Sequence, residues 1–151
     1  DGVLFSNGPG NPLHLPTVVQ TINQLLGKTP IFGIGLGHQL FALACGAEIG
    51  KLHVGNYGTS YVVKDVVSDL CYSTTQSRHY YVKEDSLPQT DLQVRFRALN
   101  DGQVEGLVHQ KYPAFSVQFN PEGAPGPNDT NYLFDQFLEL IERFHATDGG
   151  I

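Results

Sequence analysis

The stretch Phe32-Gly33-Ile34-Gly35-Leu36-Gly37-His38-Gln39 decides the fold class. An apolar run with the composition of a buried strand passes directly into a run with helical spacing, and glycines lie two positions on either side of Gly35. This is the pattern of a nucleophile elbow, a strained strand-to-helix turn that projects its central side chain from the top of a sheet. The helix N-terminus behind such a turn favours negative charge. The central position here is a glycine.

The segments on either side of this turn predict an α/β domain. Strands are predicted at residues 2–5, 30–34, 51–63, 71–82, 93–99, 104–108 and 114–119, helices from about 15 or 16 to 27, at 36–45 and at about 131–144, and Gly/Pro loops at 6–12 and 121–127. Strand and helix alternate at the start of the chain, which predicts a parallel sheet. The later run of strands predicts an added antiparallel portion.

Composition and charge exclude several classes of protein. The 151 residues are 40% hydrophobic and 16% charged, which is typical of one globular domain. The formal net charge is -6 and no Lys/Arg cluster interrupts it, so neither nucleic acid nor an anionic membrane is expected as a partner. The apolar runs are too short to span a bilayer. Cys45 and Cys71 lie in apolar segments without framework spacing, which predicts two buried thiols in a reducing cytoplasm.

Five stretches, taken in order, resemble class I glutamine amidotransferases of the carbamoyl-phosphate synthetase small-subunit type. They are Asp1-Gly2-Val3 through Ser6-Asn7-Gly8-Pro9-Gly10-Asn11-Pro12, the elbow at 33–39, Asn100-Asp101-Gly102 with Glu105-Gly106-Leu107, Gln118-Phe119-Asn120-Pro121-Glu122, and Pro125-Gly126-Pro127-Asn128-Asp129-Thr130 with Tyr132-Leu133-Phe134-Asp135. The similarity covers essentially all 151 residues. It implies one glutamine amidotransferase type 1 domain over 1–151, folded as a flavodoxin-like or Rossmann-like three-layer sandwich with a mainly parallel sheet and an antiparallel portion.

The same resemblance implies that the family's first strands are absent from this chain. The sequence contains no Met and opens inside a strand-like run, which favours a fragment of a larger protein. We therefore expect an N-terminally incomplete domain.

The resemblance also assigns the catalytic positions. The family's nucleophilic cysteine corresponds to Gly35, its general-base histidine to Asn120, and the residue that orients the base to Glu122. Glutamine hydrolysis by this route needs a thiolate that forms a thioester and a base that accepts a proton near neutral pH. Gly35 has no side chain and Asn120 has no titratable group, so we predict that the chain does not hydrolyse glutamine. Glycine also relieves the backbone strain of about 1–3 kcal/mol that an elbow imposes on other residues.

The remaining assigned positions bind glutamine or its oxyanion in the family: Gly8, Gly10, Leu36, Gln39, Ser77, His79 and Tyr80. Backbone N–H groups of Gly10 and Leu36 correspond to the oxyanion hole, and Gly8 and Gln39 to the glutamine grip. The family stretch Gln-Asn-His-Gly corresponds to Gln76-Ser77-Arg78-His79, and only its glutamine is kept. A second family stretch, His-x-Gly-x-Asn-His-Pro, corresponds to residues 56–62, and only its glycine is kept.

Neither cysteine offers a replacement nucleophile. Cys45 follows Gly35 by ten positions along the predicted helix, which is roughly 15 Å at 1.5 Å per residue. Cys71 lies in a separate strand without an elbow, and His38 or His79 without a nucleophile is more often structural. The resemblance implies no cofactor and no metal. As partner it implies a carbamoyl-phosphate synthetase large subunit, which the family supplies with ammonia from glutamine for pyrimidine or arginine biosynthesis.

Other interpretations of the elbow are weaker. A dinucleotide-binding loop expects G-x-G-x-x-G, but position 38 is His38, and no acidic residue follows at the distance that a ribose contact requires. A metal hydrolase is conceivable because six histidines are present, although none has metal-ligand spacing. A decayed fragment without a partner and a non-catalytic interaction subunit both stay open.

Overall fold

The computed structural model describes residues 1–121 and 130–148, and within them the side chains of all but residues 54–60, 77, 147 and 148. In this part of the chain seven strands form one sheet on which three α-helices pack. The strands are β1 (Val3–Phe5), β2 (Ile31–Ile34), β3 (Ile49–Asp65), β4 (Cys71–Val82), β5 (Leu92–Ala98), β6 (Val104–His109) and β7 (Ala114–Val117). The helices are α1 (Pro16–Leu25), α2 (Leu36–Ala44) and α3 (Tyr132–Asp148), with 3-10 helices at Pro12–His14 and Glu84–Gln89.

The sheet has a parallel part and an antiparallel part, as the sequence predicts. Its strand order is β1-β2-β7-β6-β5-β3-β4, in which β1, β2 and β7 are parallel and the other neighbours are antiparallel. Among the described strands the antiparallel pairs outnumber the parallel ones. The reason is that strands from β3 onward are joined without a crossover helix, and only a crossover permits parallel pairing.

Two hydrophobic cores lie on opposite faces of the sheet and give three layers. Ile31 of β2 packs in one core with residues of α1 and α2, whereas Phe32 packs in the other with residues of α3. The second core is aromatic, since the Phe32 ring stacks on Phe115 with centroids 4.4 Å apart and lies 5.6 Å from that of Phe137. All four residues of β2 are buried, which explains why its sequence is a continuous apolar run.

The observed elements differ from the predicted ones mainly at their ends. β3 begins at Ile49 rather than 51 and ends at Asp65, because these extra residues pair with Val82 of β4 and Phe96 of β5. β7 ends at Val117 rather than 119, and the chain then turns toward β4. The 3-10 helix at Glu84–Gln89 was not predicted. Apart from its first residue, the loop predicted at 121–127 lies outside the described residues.

The prediction of two buried thiols is wrong for one of them. Cys71 is exposed at the first residue of β4, where a strand end leaves a small side chain uncovered. Cys45 is partly buried after α2, and burial raises the pKa of its thiol to about 12. Within residues 1–121 and 130–148, no helix is long and apolar enough to cross a membrane.

The turn from β2 into α2 depends on two close backbone contacts. A Cβ at Gly37 would lie 2.0 Å from the carbonyl oxygen of Phe5 in β1, and a Cβ at Gly33 would lie 2.6 Å from the carbonyl oxygen of Gly37. Both obstacles are backbone atoms, which cannot rotate away as a side chain can. Helix α2 therefore rests directly on β1 and β2 at its first turn.

We expect Gly37→Ala to lower the free energy of unfolding by at least about 2 kcal/mol, because overpacking commonly costs about 1–3 kcal/mol and the obstacle here is backbone. Gly8→Ala is the matched control, since its Cβ would lie 3.7 Å from Leu36 Cδ2 and its φ is outside the left-handed region. That variant should change stability by less than about 0.5 kcal/mol. Urea denaturation of both variants measures the difference. Equal losses would contradict the close approach of α2 to β1.

Candidate active site

The elbow lies at the carboxyl end of β2, between the parallel neighbours β1 and β7. Gly35 has φ 58° and ψ −112°, its N–H donates to the Val117 carbonyl at 2.9 Å, and its carbonyl accepts from the Gln39 N–H at 3.2 Å. A residue with a Cβ adopts this backbone conformation only with strain. Ligands of open α/β sheets bind beyond the carboxyl ends of the parallel strands, which is where the elbow lies.

A cleft of about 390 Å³ opens beside the elbow. It is lined by Asn7, Gly8, Pro9, Gly10, Leu36, Gln39, Arg78, His79 and Tyr80. Six of the seven positions that the family resemblance assigns to substrate binding therefore share one cleft, although they come from three separate segments. The seventh, Ser77, pairs through its backbone with Tyr57 of β3, and its side chain is outside the description. The volume suits a small polar molecule.

The amide of Gln39 fixes one wall of the cleft. This side chain is buried, and its Nε2 donates to the Tyr80 carbonyl at 3.1 Å and to Gln118 Oε1 at 3.0 Å. These two bonds tie α2 to β4 and to the segment that follows β7. Both amide hydrogens of Gln39 are therefore used within the protein, and they hold Tyr80 and Gln118 against α2.

The position assigned to the general base lies against β4. The Asn120 N–H donates to the Thr75 carbonyl at 2.8 Å, and the two residues form an isolated antiparallel bridge. The backbone thus brings position 120 next to the strand that carries Arg78, His79 and Tyr80. A carboxamide at this position forms hydrogen bonds but transfers no proton near neutral pH. Glu122, the third assigned catalytic position, lies outside the described residues.

A buried ion pair separates this cleft from a second one, and the sequence pattern alone assigned it no role. Arg78 Nη2 lies 2.7 Å from Glu105 Oε2, with both side chains almost completely buried, and Gln76 Nε2 donates to Glu105 Oε1. Burial raises the pKa of Glu105 to about 7, although the neighbouring Arg78 acts in the opposite direction. The second cleft, of about 270 Å³, is lined by both members of the pair. The sequence offered one signal for this pair, namely a charged residue, Glu105, between Val104 and Leu107 in the predicted strand 104–108, which is otherwise apolar.

The one serine–histidine contact that resembles a catalytic pair within the described residues is inaccessible. His38 Nδ1 lies 2.7 Å from Ser116 Oγ, which is within reach for a nucleophile and its base. Both residues are fully buried, and burial together with Arg78 lowers the pKa of His38 to about 3, so the imidazole is neutral. Neither residue lines a cleft named above. This pair is therefore structural, as expected for His38.

The described residues offer no metal centre. No group of three or more His, Cys, Asp or Glu side chains in residues 1–121 and 130–148 is placed to hold an ion. The described side chains that line the cleft include no thiol, and their one imidazole is that of His79, which is exposed.

Comparison with known proteins gives the relatives of this chain. The profile of the family Glutamine amidotransferase class-I matches residues 1–140. The carbamoyl phosphate synthase small chain of Oceanobacillus iheyensis is 51% identical over 150 residues, which are 99% of this chain and 41% of that protein. The carbamoyl phosphate synthase pyrimidine-specific small chain of Halalkalibacterium halodurans is 54% identical over 142 residues, 94% of this chain and 39% of that protein. The chain spans about two fifths of the length of these relatives.

Solved structures with the same fold have much lower identity. A protein from Thermoplasma acidophilum, described as a putative GMP synthase subunit, superposes with a TM-score of 0.82 at 20% identity, over 98% of this chain and 76% of that one. A glutamine amidotransferase from Thermotoga maritima superposes with a TM-score of 0.65 at 20% identity, over 93% and 64%. The fold class implied by the sequence resemblance is confirmed.

We expect the buried Glu105 to make folding stability depend on pH. A carboxyl whose pKa is raised from an unfolded value near 4.5 to about 7 in the folded state binds more protons when folded. It therefore stabilises the fold below about pH 4.5, and this contribution is lost as the pH rises through 7, by up to about 1.4 kcal/mol per pH unit. In Glu105→Gln, which cannot ionise, the loss of stability between pH 5 and 7 should shrink relative to the unmodified protein.

Urea denaturation at several pH values measures this difference. Glu142→Gln, at an exposed position of α3, is the matched control and should leave the pH dependence unchanged. Parallel stability curves for the unmodified protein and Glu105→Gln would contradict the assigned shift.

Proposed function

Since the chain belongs to the class I glutamine amidotransferase family, we propose that it is the amidotransferase domain of a carbamoyl phosphate synthase small subunit that has lost glutamine hydrolysis. The observation that carries this proposal is Gly35. The backbone at the elbow has the strained conformation that presents a nucleophile, but the residue that occupies it has no side chain. The site thus has the backbone geometry of a glutaminase but lacks the nucleophilic side chain that would attack the amide.

The chemistry fails at two steps of the family route. Formation of the thioester requires a sulfur at the elbow, and release of ammonia requires a proton donor that has first acted as base. Gly35 and Asn120 provide neither. Three described side chains that could act as nucleophiles elsewhere do not support a rescue. The Cys45 thiol has a pKa of about 12, Cys71 is remote from the elbow in sequence and lies at a strand end, and Ser116 is fully buried.

We further propose that the domain acts without catalysis by binding a synthetase large subunit, which then uses free ammonia. In support, identity near 50% extends over almost the whole chain despite the changes at the elbow and in β4. Buried elements resist change because cavities and overpacking cost several kcal/mol, whereas an idle pocket is free to vary. An idle chain without a partner is the competing interpretation.

The proposal includes a biosynthetic pathway and a cellular compartment. The printed name of one relative at 54% identity favours pyrimidine biosynthesis, and no observation favours arginine biosynthesis. The two described cysteines are unpaired, which suits a reducing compartment such as the cytoplasm.

The experiment combines the protein that carries this chain with the carbamoyl phosphate synthase large subunit of the same organism. We expect a stable complex at micromolar concentration in sedimentation velocity, and carbamoyl phosphate formation from ammonium at saturating ATP and bicarbonate. Glutamine should support a rate at least about a hundredfold below the roughly 10 per second of a median enzyme. The H. halodurans small chain with its own large subunit is the positive control for use of glutamine.

Two results would contradict the proposal, and each contradicts a different part. Glutamine-dependent synthesis at a rate comparable with that of the control pair would show that hydrolysis is retained. Absence of a complex, together with an unchanged ammonia-dependent rate, would leave the idle chain as the remaining interpretation.

A further inference from the structure

The space beside Gly35 is filled by the side chain of Asn7. A Cβ built on Gly35 would lie 2.2 Å from Asn7 Oδ1, 2.3 Å from its Cγ and 2.9 Å from its Cβ. These distances are far below van der Waals contact, so the Asn7 carboxamide occupies the volume into which a nucleophilic side chain would project. Asn7 comes from the loop after β1, and it also lines the cleft.

The same carboxamide also accepts a hydrogen bond from a backbone N–H of the elbow. Asn7 Oδ1 accepts from the Leu36 N–H at 3.0 Å. Leu36 directly follows the elbow residue, and in enzymes with a nucleophile elbow the N–H at that position donates to the oxyanion that forms on the attacked carbonyl. The atom that accepts here is the oxygen of a carboxamide, which is the functional group that glutamine would present.

We propose that Asn7 is an internal ligand of the glutamine site: its carboxamide occupies both the space of the nucleophile and the Leu36 donor, and so competes with carboxamide ligands for the site. This inference rests on the loss of hydrolysis proposed above, since only a residue without a side chain at position 35 leaves room for Asn7. The two positions are coupled, because a cysteine at 35 and the observed Asn7 conformation cannot coexist.

The contact between Asn7 and the elbow is reversible. Asn7 is exposed, and it holds the Leu36 N–H through a neutral hydrogen bond rather than an ion pair. Such a bond changes an equilibrium by roughly fivefold. A ligand that competes for the Leu36 N–H must first displace Asn7, so its apparent affinity is reduced by about that factor.

Glutamine binding to the unmodified chain, Asn7→Ala and Asn7→Asp tests the proposal. Asn7→Ala removes the carboxamide and should tighten L-glutamine binding by about fivefold or more, measured by two-dimensional NMR titration. Asn7→Asp keeps the volume and an accepting oxygen and makes the hydrogen bond charge-assisted and stronger, so it should not tighten glutamine binding. In Asn7→Ala the Leu36 amide should also exchange faster with solvent, which reports directly on the lost hydrogen bond.

Failure of this inference is distinguishable from failure of the proposed function. Equal affinities in all three proteins, or equal tightening in Asn7→Ala and Asn7→Asp, would overturn the role of Asn7 and leave the loss of hydrolysis untouched. Ammonia release from glutamine by the unmodified chain would overturn the proposed function, whichever affinities are found.

A stability cycle tests the coupling without any ligand. Gly35→Ala is expected to lower Tm by at least about 4 °C, because its Cβ meets Asn7 and its φ of 58° is strained. In an Asn7→Gly background the backbone strain persists but the collision is removed, so the loss of Tm should be smaller than in the unmodified background. Equal losses in the two backgrounds would overturn the proposal.

Discussion

The close packing of α2 against β1 and β2 at the elbow is the constraint on which the rest of the site depends. At Gly33 and Gly37 the backbone of α2 lies directly against the backbone of β1 and β2. A side chain at either position would collide with a carbonyl oxygen. Between these two contacts the chain passes through the backbone conformation at Gly35 that other residues adopt only with strain, and the next N–H, that of Leu36, donates to Asn7 beside the cleft. The scaffold of a nucleophile elbow is therefore maintained by packing, independently of which residue occupies its apex.

The apex residue then decides what the cleft contains. With a glycine at position 35 there is room for Asn7 to turn inward and bind the Leu36 N–H, whereas a side chain would exclude it. On β4, Arg78 lines the same cleft and pairs with the buried Glu105 behind it. When both side chains of an ion pair are buried, the desolvation of the two charges offsets most of their attraction, so the pair adds little to the stability of the fold.

The sequence predicted the local features of this site better than the distant contacts. The elbow could be recognised because its glycines, strand and helix are contiguous in the sequence. Gly8, Gln39 and Tyr80, which the resemblance assigns to one binding site, line one cleft. The pairing of Arg78 with Glu105 could not be predicted, because the two residues lie on strands that are not neighbours in the sheet. The position of Asn7 depends on a single side-chain rotamer, for which no periodicity or spacing gives a signal.

The central claim is that this domain presents no nucleophile to a glutamine side chain. The most direct measurement is intact mass spectrometry after incubation with a glutamine analogue that carries an electrophilic ketone in place of the carboxamide. Because Cys71 is exposed and can react nonspecifically, the measurement uses Cys71→Ser alongside the unmodified chain. We expect no covalent adduct whose formation is prevented by excess glutamine. An adduct that glutamine does prevent, mapped by proteolysis to a residue lining the cleft, would contradict it.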